Sequence, residues 1–340
     1  MAARAIRERI PLVDLVLEVR DARIPLTSAF GPLKHESCFL DKHIIVLNKV
    51  DLADRLLTEK WMKHFREKNY ICYGVNSHNK DSIKGLLTLV RNRIRELKGC
   101  EANYTTTVLL TGITNVGKSA IANSMHQVGR ITATEKGKLK HAIVSPHPGE
   151  TKDIISYKIA SHPNIYILDS PGVLYPEVTD DDYGSKLALT GAIKDSLLDE
   201  IKVAQYFLLI LSSSEQYKFW EKLTALVHGS TLAESKEKCL ADSDTDYRRR
   251  TQYSSDHTKD FIVRDVRRTL FKTISSFEGN MQNETDVERL IESQFTALHE
   301  AFRLRLSGED SCSVVASKLL NLYRTGRLGR YTLDLPRNVQ

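Results

Sequence analysis

Gly112-Ile113-Thr114-Asn115-Val116-Gly117-Lys118-Ser119 has the form G-x-x-x-x-G-K-S, and the chemistry of that spacing governs the reading of the whole chain. Two glycines let the backbone turn tightly, so that successive N–H groups and the start of a following helix face one dense anion. The β-rich run Thr107 to Leu110 before it and the helix-forming run Ser119 to Met125 after it supply the context such a loop needs. A triphosphate suits this geometry: Lys118 reaches its terminal phosphates and Ser119 ligates Mg²⁺.

Earlier in the chain stands Asn48-Lys49-Val50-Asp51, directly after the apolar run Ile44-Ile45-Val46-Leu47. A buried parallel strand ending there delivers its polar residues to a ligand crevice. The Asp51 carboxylate can accept two N–H bonds from a guanine edge, which adenine does not offer, so the phrase N-K-x-D reads as a guanine-recognition element. Asn48 contacts the purine and Lys49 lies along its ring. Gly74-Val75-Asn76-Ser77-His78 follows another apolar run and is open to two compatible readings. Asn76 and Ser77 either prop the base through backbone contacts or cap the next helix. The residues expected around the nucleotide are thus Asn48, Lys49, Val50, Asp51, Asn76, Ser77, Asn115, Val116, Gly117, Lys118, Ser119, Ala120 and Gly172.

Asp169-Ser170-Pro171-Gly172 closes a third apolar run, Ile165 to Leu168. Asp169 is expected to hold Mg²⁺ through water, and Gly172 to offer its N–H to the γ-phosphate. Thr151, in Pro148-Gly149-Glu150-Thr151-Lys152, is the switch threonine that would join the metal only while the γ-phosphate is present. Ordinary GTPases carry the guanine phrase after the phosphate loop; here it comes first. The chain therefore resembles a circularly permuted GTPase.

Catalysis poses a question. Ras-like enzymes place a water-orienting glutamine directly after the glycine of D-x-x-G, and this chain has Val173 there. Asn115 is either a plain turn residue or, as in GTPases whose phosphate loop it resembles, a ligand for K⁺ that neutralises developing charge. The catalytic set expected is Asn115, Lys118, Thr151 and Gly172, with Ser119, Thr151 and Asp169 on Mg²⁺ and Asn115 on K⁺.

Glu18-Val19-Arg20-Asp21-Ala22-Arg23-Ile24-Pro25, Gly191-Ala192-Ile193-Lys194-Asp195 and Tyr323-Arg324-Thr325-Gly326-Arg327-Leu328-Gly329 are similar to phrases of the circularly permuted DAR-type ribosome-assembly GTPases. The resemblance spans nearly the whole chain and is nearest the plant mitochondrial branch, with YlqF-like bacterial relatives. It implies a GTP-driven checkpoint on a large ribosomal subunit precursor and its rRNA, in mitochondria on the matrix side. Members of that family usually carry a phrase like F-P-G-H-M just before the segment that begins here as Met1-Ala2-Ala3-Arg4-Ala5-Ile6. If its histidine is needed, this polypeptide binds GTP better than it hydrolyses it. The alternative function is accordingly a GTP-gated RNA-binding or ribosome-binding scaffold with little intrinsic hydrolysis.

A length of 340 residues accommodates an α/β domain and a smaller second one. Short apolar runs (Leu12 to Val19, Ile44 to Leu47, Val108 to Leu110, Ile165 to Leu168) alternating with helical stretches (Thr58 to Lys68, Ser82 to Leu97) predict a parallel sheet wrapped by helices over 1–185, the permuted GTPase domain. From Leu187 helical periodicity dominates, with Leu187 to Ile201 and Val287 to Leu306 clearest, so 186–340 is expected to be a helical domain carrying a polar insertion around 230–259. The net charge of +6 suits an RNA-facing surface without requiring one. RNA contacts are sought in Lys136 to His141, in Arg248-Arg249-Arg250, and in Arg324, Arg327, Arg330 and Arg337 with Tyr323 and Tyr331 interleaved. Asp21 and Arg23 suit an interdomain ion pair as well as a catalytic or RNA role. Five cysteines, Cys38, Cys72, Cys100, Cys239 and Cys312, show no C-x-x-C spacing, which excludes a disulfide framework or zinc site from the expectation. No apolar run reaches a membrane span, and the Arg4, Arg7 and Arg9 stretch reads as fold rather than transit peptide, so a mitochondrial address would lie upstream. The sequence is silent on oligomeric state.

Overall fold

The computed structural model describes residues 2–33, 41–99, 105–133, 155–161, 164–173, 181–193, 199–221, 257–304 and 309–336. Among the described residues six strands form one sheet: β1 (Leu15–Asp21), β2 (His43–Asn48), β3 (Ile71–Val75), β4 (Thr105–Thr111), β5 (Ile155–Ser161) and β6 (Asn164–Asp169). Their spatial order is β3-β2-β1-β4-β6-β5, all parallel except the β5–β6 hairpin at one edge. The central strand β1, LVLEVRD, is buried along its whole length, as a strand covered on both faces must be.

Helices α1 (Ala2–Arg9), α2 (Arg55–Glu67), α3 (Lys80–Lys98), α4 (Lys118–Ala133) and α5 (Asp181–Leu189) accompany the sheet. Alternation along the strands divides the core in two. Leu15, Leu17 and Val19 face Ile83, Leu87 and Val90 of α3 and Ile121 and Met125 of α4. On the opposite face Val16 and Leu109 meet Ile6 and Ile10, while Ile45 and Leu47 meet Trp61 and Phe65 of α2. The arginine-rich start is thus a helix whose Ile6 is buried in the core. The strand expected from Leu12 begins later, because Pro11 sets a 3-10 turn at Ile10–Leu12 and β1 starts at Leu15. Local capping fixes the helix starts: Asp54 accepts from the Leu57 N–H, and Asn79 from those of Asp81 and Ser82.

The chain divides into two compact units, one comprising Met1–Leu198 with Arg330–Gln340, the other Asp199–Gly329. This differs from a boundary at 185/186 in both directions. The C-terminal stretch, expected with the helices, instead straps the first unit. Asp334 is buried and accepts from the Leu26 and Thr27 N–H groups at 2.8 Å and from the Thr27 hydroxyl at 2.7 Å, with Lys186 Nζ 3.4 Å away. Its carbonyl accepts from Trp61 Nε1 at 2.9 Å, and the Tyr331 and Leu333 N–H groups donate to Leu52 O and Arg23 O.

The helix expected over Leu187 to Ile201 is also corrected. α5 ends at Leu189, a turn through Gly191 (φ 78°) follows, and α6 (Glu200–Ser213) starts afresh at its Asp199 cap. The second unit comprises α6, a 3-10 turn at Gln216–Trp220, α7 (His257–Ser275), α8 (Glu284–Ala301) and α9 (Glu309–Arg324) among the described residues. Tyr323 is buried there, 4.8 Å from Phe207 between ring centroids, and Tyr331 is buried in the first unit. These aromatic rings pack in cores, so the expected interleaving with arginines offers no stacking surface for RNA. Arg337, Lys136 to His141 and Arg248 to Arg250 lie outside the described residues, as does the 230–259 insertion. No described helix is long and apolar enough to cross a membrane.

Candidate functional site

Parallel pairing brings the carboxyl ends of β1, β2, β3, β4 and β6 to one edge of the sheet. Asp21 is in register with Asn48, Asn48 with Val75, and Leu110 with Asp169. Beyond that edge β1 lies between β2 and β4, so chain connections run outward on both sides and leave a crevice at the switch point.

The phosphate loop turns out of β4 into α4. Gly112 has φ 146°, and a Cβ there would lie 2.4 Å from Val19 O; Gly117 has φ 96°, and a Cβ there would lie 2.2 Å from Asn48 Nδ2. Both positions require glycine. Asn115 takes φ 57°, which asparagine tolerates. Lys118 is buried and donates to Ile113 O at 2.6 Å, curled over the loop. Burial pushes its amine down to about 8, with Asp169 opposing and Lys49 adding to the fall.

The two phrases that stand far apart in the chain meet here. Asn48 Nδ2 donates to Val116 O at 2.8 Å, and Lys49 Nζ donates to Asn115 O at 2.7 Å. Asn48 Oδ1 accepts from the Ser77 N–H at 3.2 Å, and Ser77 O accepts from Ser124 Oγ at 2.7 Å on α4. Asn48 is thus a tie between all three loops. The helix after β3 is capped by Asn79, which corrects the capping expected of Asn76 or Ser77; Asn76 instead accepts from the His78 N–H. Val50 packs its side chain against the Trp61 cluster, and Asp51 is exposed on the turn beside it. Ala120 is half-buried in the first turn of α4.

Ser119 Oγ donates to Asp169 Oδ2 at 2.6 Å. Asp169 is wholly buried and its Oδ1 has no hydrogen-bond partner among the described residues, while burial raises its carboxyl against the pull of Ser119 and Lys118. A buried carboxylate oxygen left unpaired beside a hydroxyl is the donor set a hard cation takes. Gly172 lies against the loop, where a Cβ would fall 2.6 Å from Thr114 Cα and 3.0 Å from Lys118 Nζ. Val173 packs against the apolar cluster of Ile6, Ile10 and Phe30. Thr151 lies outside the described residues.

Two contacts were not legible in the sequence. The turn after α5 grips the phosphate loop: Gly191 O accepts from Asn115 Nδ2 at 2.9 Å, and Ala192 O from Thr114 Oγ1. Asp21 and Arg23 also belong to this edge. Both lie in the first unit and pair at 2.7 Å, which replaces the interdomain pairing considered for them. Phrases like Gly191-Ala192 carry no chemistry of their own; only their place beside the loop does.

The sheet order, with the phosphate loop at the β4–α4 turn and the guanine phrase ending β2, defines a circularly permuted P-loop GTPase. A family model described as 50S ribosome-binding GTPase matches residues 107–234. The chain is 53% identical to DAR GTPase 2, mitochondrial, of Arabidopsis thaliana, over 98% of this chain and 88% of that one. It is 29% identical to Ribosome biogenesis GTPase A of Priestia megaterium, over 78% and 89% of the two. Among solved structures, the GDP-bound structure of TM YlqF aligns with a TM-score of 0.53 at 18% identity, over 98% of this chain and 100% of that one, and so shares the fold. The chain belongs to the DAR-type, circularly permuted ribosome-biogenesis GTPases, and it is a GTP hydrolase.

Proposed function

We propose that this chain is a GTP-driven assembly factor for the large ribosomal subunit of mitochondria, recognising a precursor particle and its rRNA. The observation that carries it is the Ser119–Asp169–Lys118 cluster, with an Asp169 Oδ1 that has no partner among the described residues, set at the same sheet edge as the Asn48–Asp51 turn. In this reading Asp51 selects guanine, Lys49 lies along the base, and the Val116 to Ala120 backbone with Lys118 holds the phosphates. Ser119 and Asp169 would hold Mg²⁺, whose chemistry is to screen the phosphate charge; Thr151 would join it with the γ-phosphate bound. Gly172 lies against the loop, and its N–H would meet the γ-phosphate. Asn115, with its Nδ2 turned to Gly191 O, is the group on which K⁺ would bear. The names of the relatives, mitochondrial in one and ribosome-directed in others, support compartment and partner.

A second reading is favoured by Val173. Its side chain is packed among apolar residues and cannot orient a water, so the chain would act as a GTP-gated scaffold with slow intrinsic turnover. Co-sedimentation with mitochondrial large-subunit precursors separates these outcomes from none at all. Retention with a non-hydrolysable GTP analogue and release with GDP is expected. Equal behaviour in both nucleotide states, or absence from large-subunit particles, would overturn the proposal. Turnover that rises on adding particles favours the enzyme reading over the scaffold.

A further inference from the structure

The Asp21-Ala22-Arg23 phrase sits at the sheet edge beside Asn48 and reaches the turn that grips the phosphate loop. Asp21 ends β1, is 2% exposed, and meets two cations and one backbone N–H with its carboxylate. Its Oδ1 accepts from the Arg23 N–H and Arg23 Nε at 3.0 Å; its Oδ2 accepts from Arg23 Nη2 at 2.7 Å and lies 3.0 Å from Lys49 Nζ. Arg23 Nη2 reaches on to Thr190 O at 3.2 Å, the residue before the turn that grips Thr114 and Asn115. Lys49 itself sits at φ 62°, a backbone state that a lysine does not favour and that its surroundings must impose. Its backbone is held by the Leu52 N–H, which donates to Lys49 O at 2.9 Å, and its amine is held by Asp21 and Asn115 O.

We propose that Asp21 is a positioning residue of the nucleotide site: it holds Lys49 in the strained conformation that lays its stem along the guanine ring, with Arg23 locking Asp21 and the Thr190–Ala192 turn to the phosphate loop. This rests on the reading of Lys49 and the phosphate loop as guanine-nucleotide groups. Electrostatics agrees with the geometry. Burial alone would raise the Asp21 carboxyl, yet Arg23 and Lys49 hold it well below the usual carboxylate range. For Lys49, burial lowers the amine and Arg23 lowers it further, while Asp21 and Asp51 oppose both. Removing the carboxylate therefore leaves two neighbouring cations, a half-buried lysine and a buried arginine, facing each other with nothing between them.

The test is a double-mutant cycle read by the affinity of a fluorescent GDP analogue, using Asp21→Asn, Lys49→Met and both together in the full chain. Asp21→Asn is expected to weaken GDP binding about tenfold in the wild-type background and less than about twofold when Lys49 is already methionine. At saturating GTP, kcat is expected to change far less than KM, since Asp21 touches no reacting atom. Equal losses in the two backgrounds would overturn the positioning role alone. No GDP affinity in the wild-type protein would overturn the nucleotide reading, and this inference with it. Should Asp21→Asn fail to fold, Asp21→Asn with Arg23→Gln removes both charges together. That variant is expected to fold and still bind GDP weakly; wild-type affinity in it would show that the pair serves stability only.

Discussion

Gly117 shows at the scale of one residue how backbone and side-chain demands coincide. Its φ of 96° suits glycine, and the space its side chain would need is taken by Asn48 Nδ2, the group that ties the guanine phrase to the loop. Any side chain there displaces Asn48 as well as straining the turn. Asp51 has the opposite character, exposed on its turn and ready to meet a ligand. Asp51→Asn inverts the donor and acceptor pattern offered to the purine, so preference should pass from guanine to xanthine nucleotides. Competition binding checks this; a variant that keeps tight GTP binding and gains nothing for the xanthine nucleotide would refute the assignment. At Asn115, turnover is expected to be severalfold faster in K⁺ than in Na⁺ at equal ionic strength, and Asn115→Ala should erase the difference with GDP affinity nearly intact. Equal rates in the two salts would remove K⁺ from the chemistry.

Among the elements, β1 is the one that tolerates least. Within it Glu18 is wholly buried, accepting from Arg20 Nε and Nη2 at 2.8 Å and from the Phe30 N–H at 2.7 Å, with His43 Nε2 2.9 Å away. Burial by itself pushes the Glu18 carboxyl up; Arg20 and His43 outweigh it and bring the group down to about 2. Because the folded value is depressed, the stabilisation is present above the unfolded value near 4.5 and is lost as pH falls from there toward 2. That window corresponds to roughly 3 kcal/mol. Glu18→Gln should lower stability at neutral pH by a similar amount, since Arg20 loses its partner in the interior, and should flatten the acid limb of the stability curve. Urea melts from pH 6 to 2.5, about as far as such melts reach before general acid unfolding, distinguish this from an unchanged slope. The apolar run Leu12 to Val19 announced β1 in the sequence. The charged pair inside it did not show, because E-x-R in an apolar run names no partner until His43 and Phe30 arrive from elsewhere.

Across the whole chain, the strap formed by the C-terminal stretch ties the end of the polypeptide to its beginning. Asp334 satisfies three donors at Leu26 and Thr27, next to the Arg23 segment, while its carbonyl holds Trp61. Asp334→Ala leaves the two Thr27 donors buried without an acceptor and removes that of the Leu26 N–H, an expected cost of about 3 kcal/mol. Thermal unfolding should shift down accordingly, with a red shift of Trp61 emission in the native state; an unaltered midpoint would show the strap to be passive. The phosphate loop, the guanine turn and the Asp169 strand end were all legible from residue type and spacing, because each is a local device: glycines for a turn, an apolar run for a buried strand, a polar residue at its end. The limits of Thr58 to Lys68 and Ser82 to Leu97 were legible to within a turn, whereas the helix expected to Leu306 ends at Ala301, the one expected to Met125 runs to Ala133, and Gly191 interrupts another. What sequence alone determined was therefore the set of chemical groups and the class of ligand they suit. Which groups share a site was decided by the tertiary structure. Parallel pairing in the order β3-β2-β1-β4-β6-β5 sets Asn48 against Val116 and Ser119 against Asp169 whatever their order along the chain, since hydrogen-bond register and core packing depend on which strands are neighbours in space and not on which comes first.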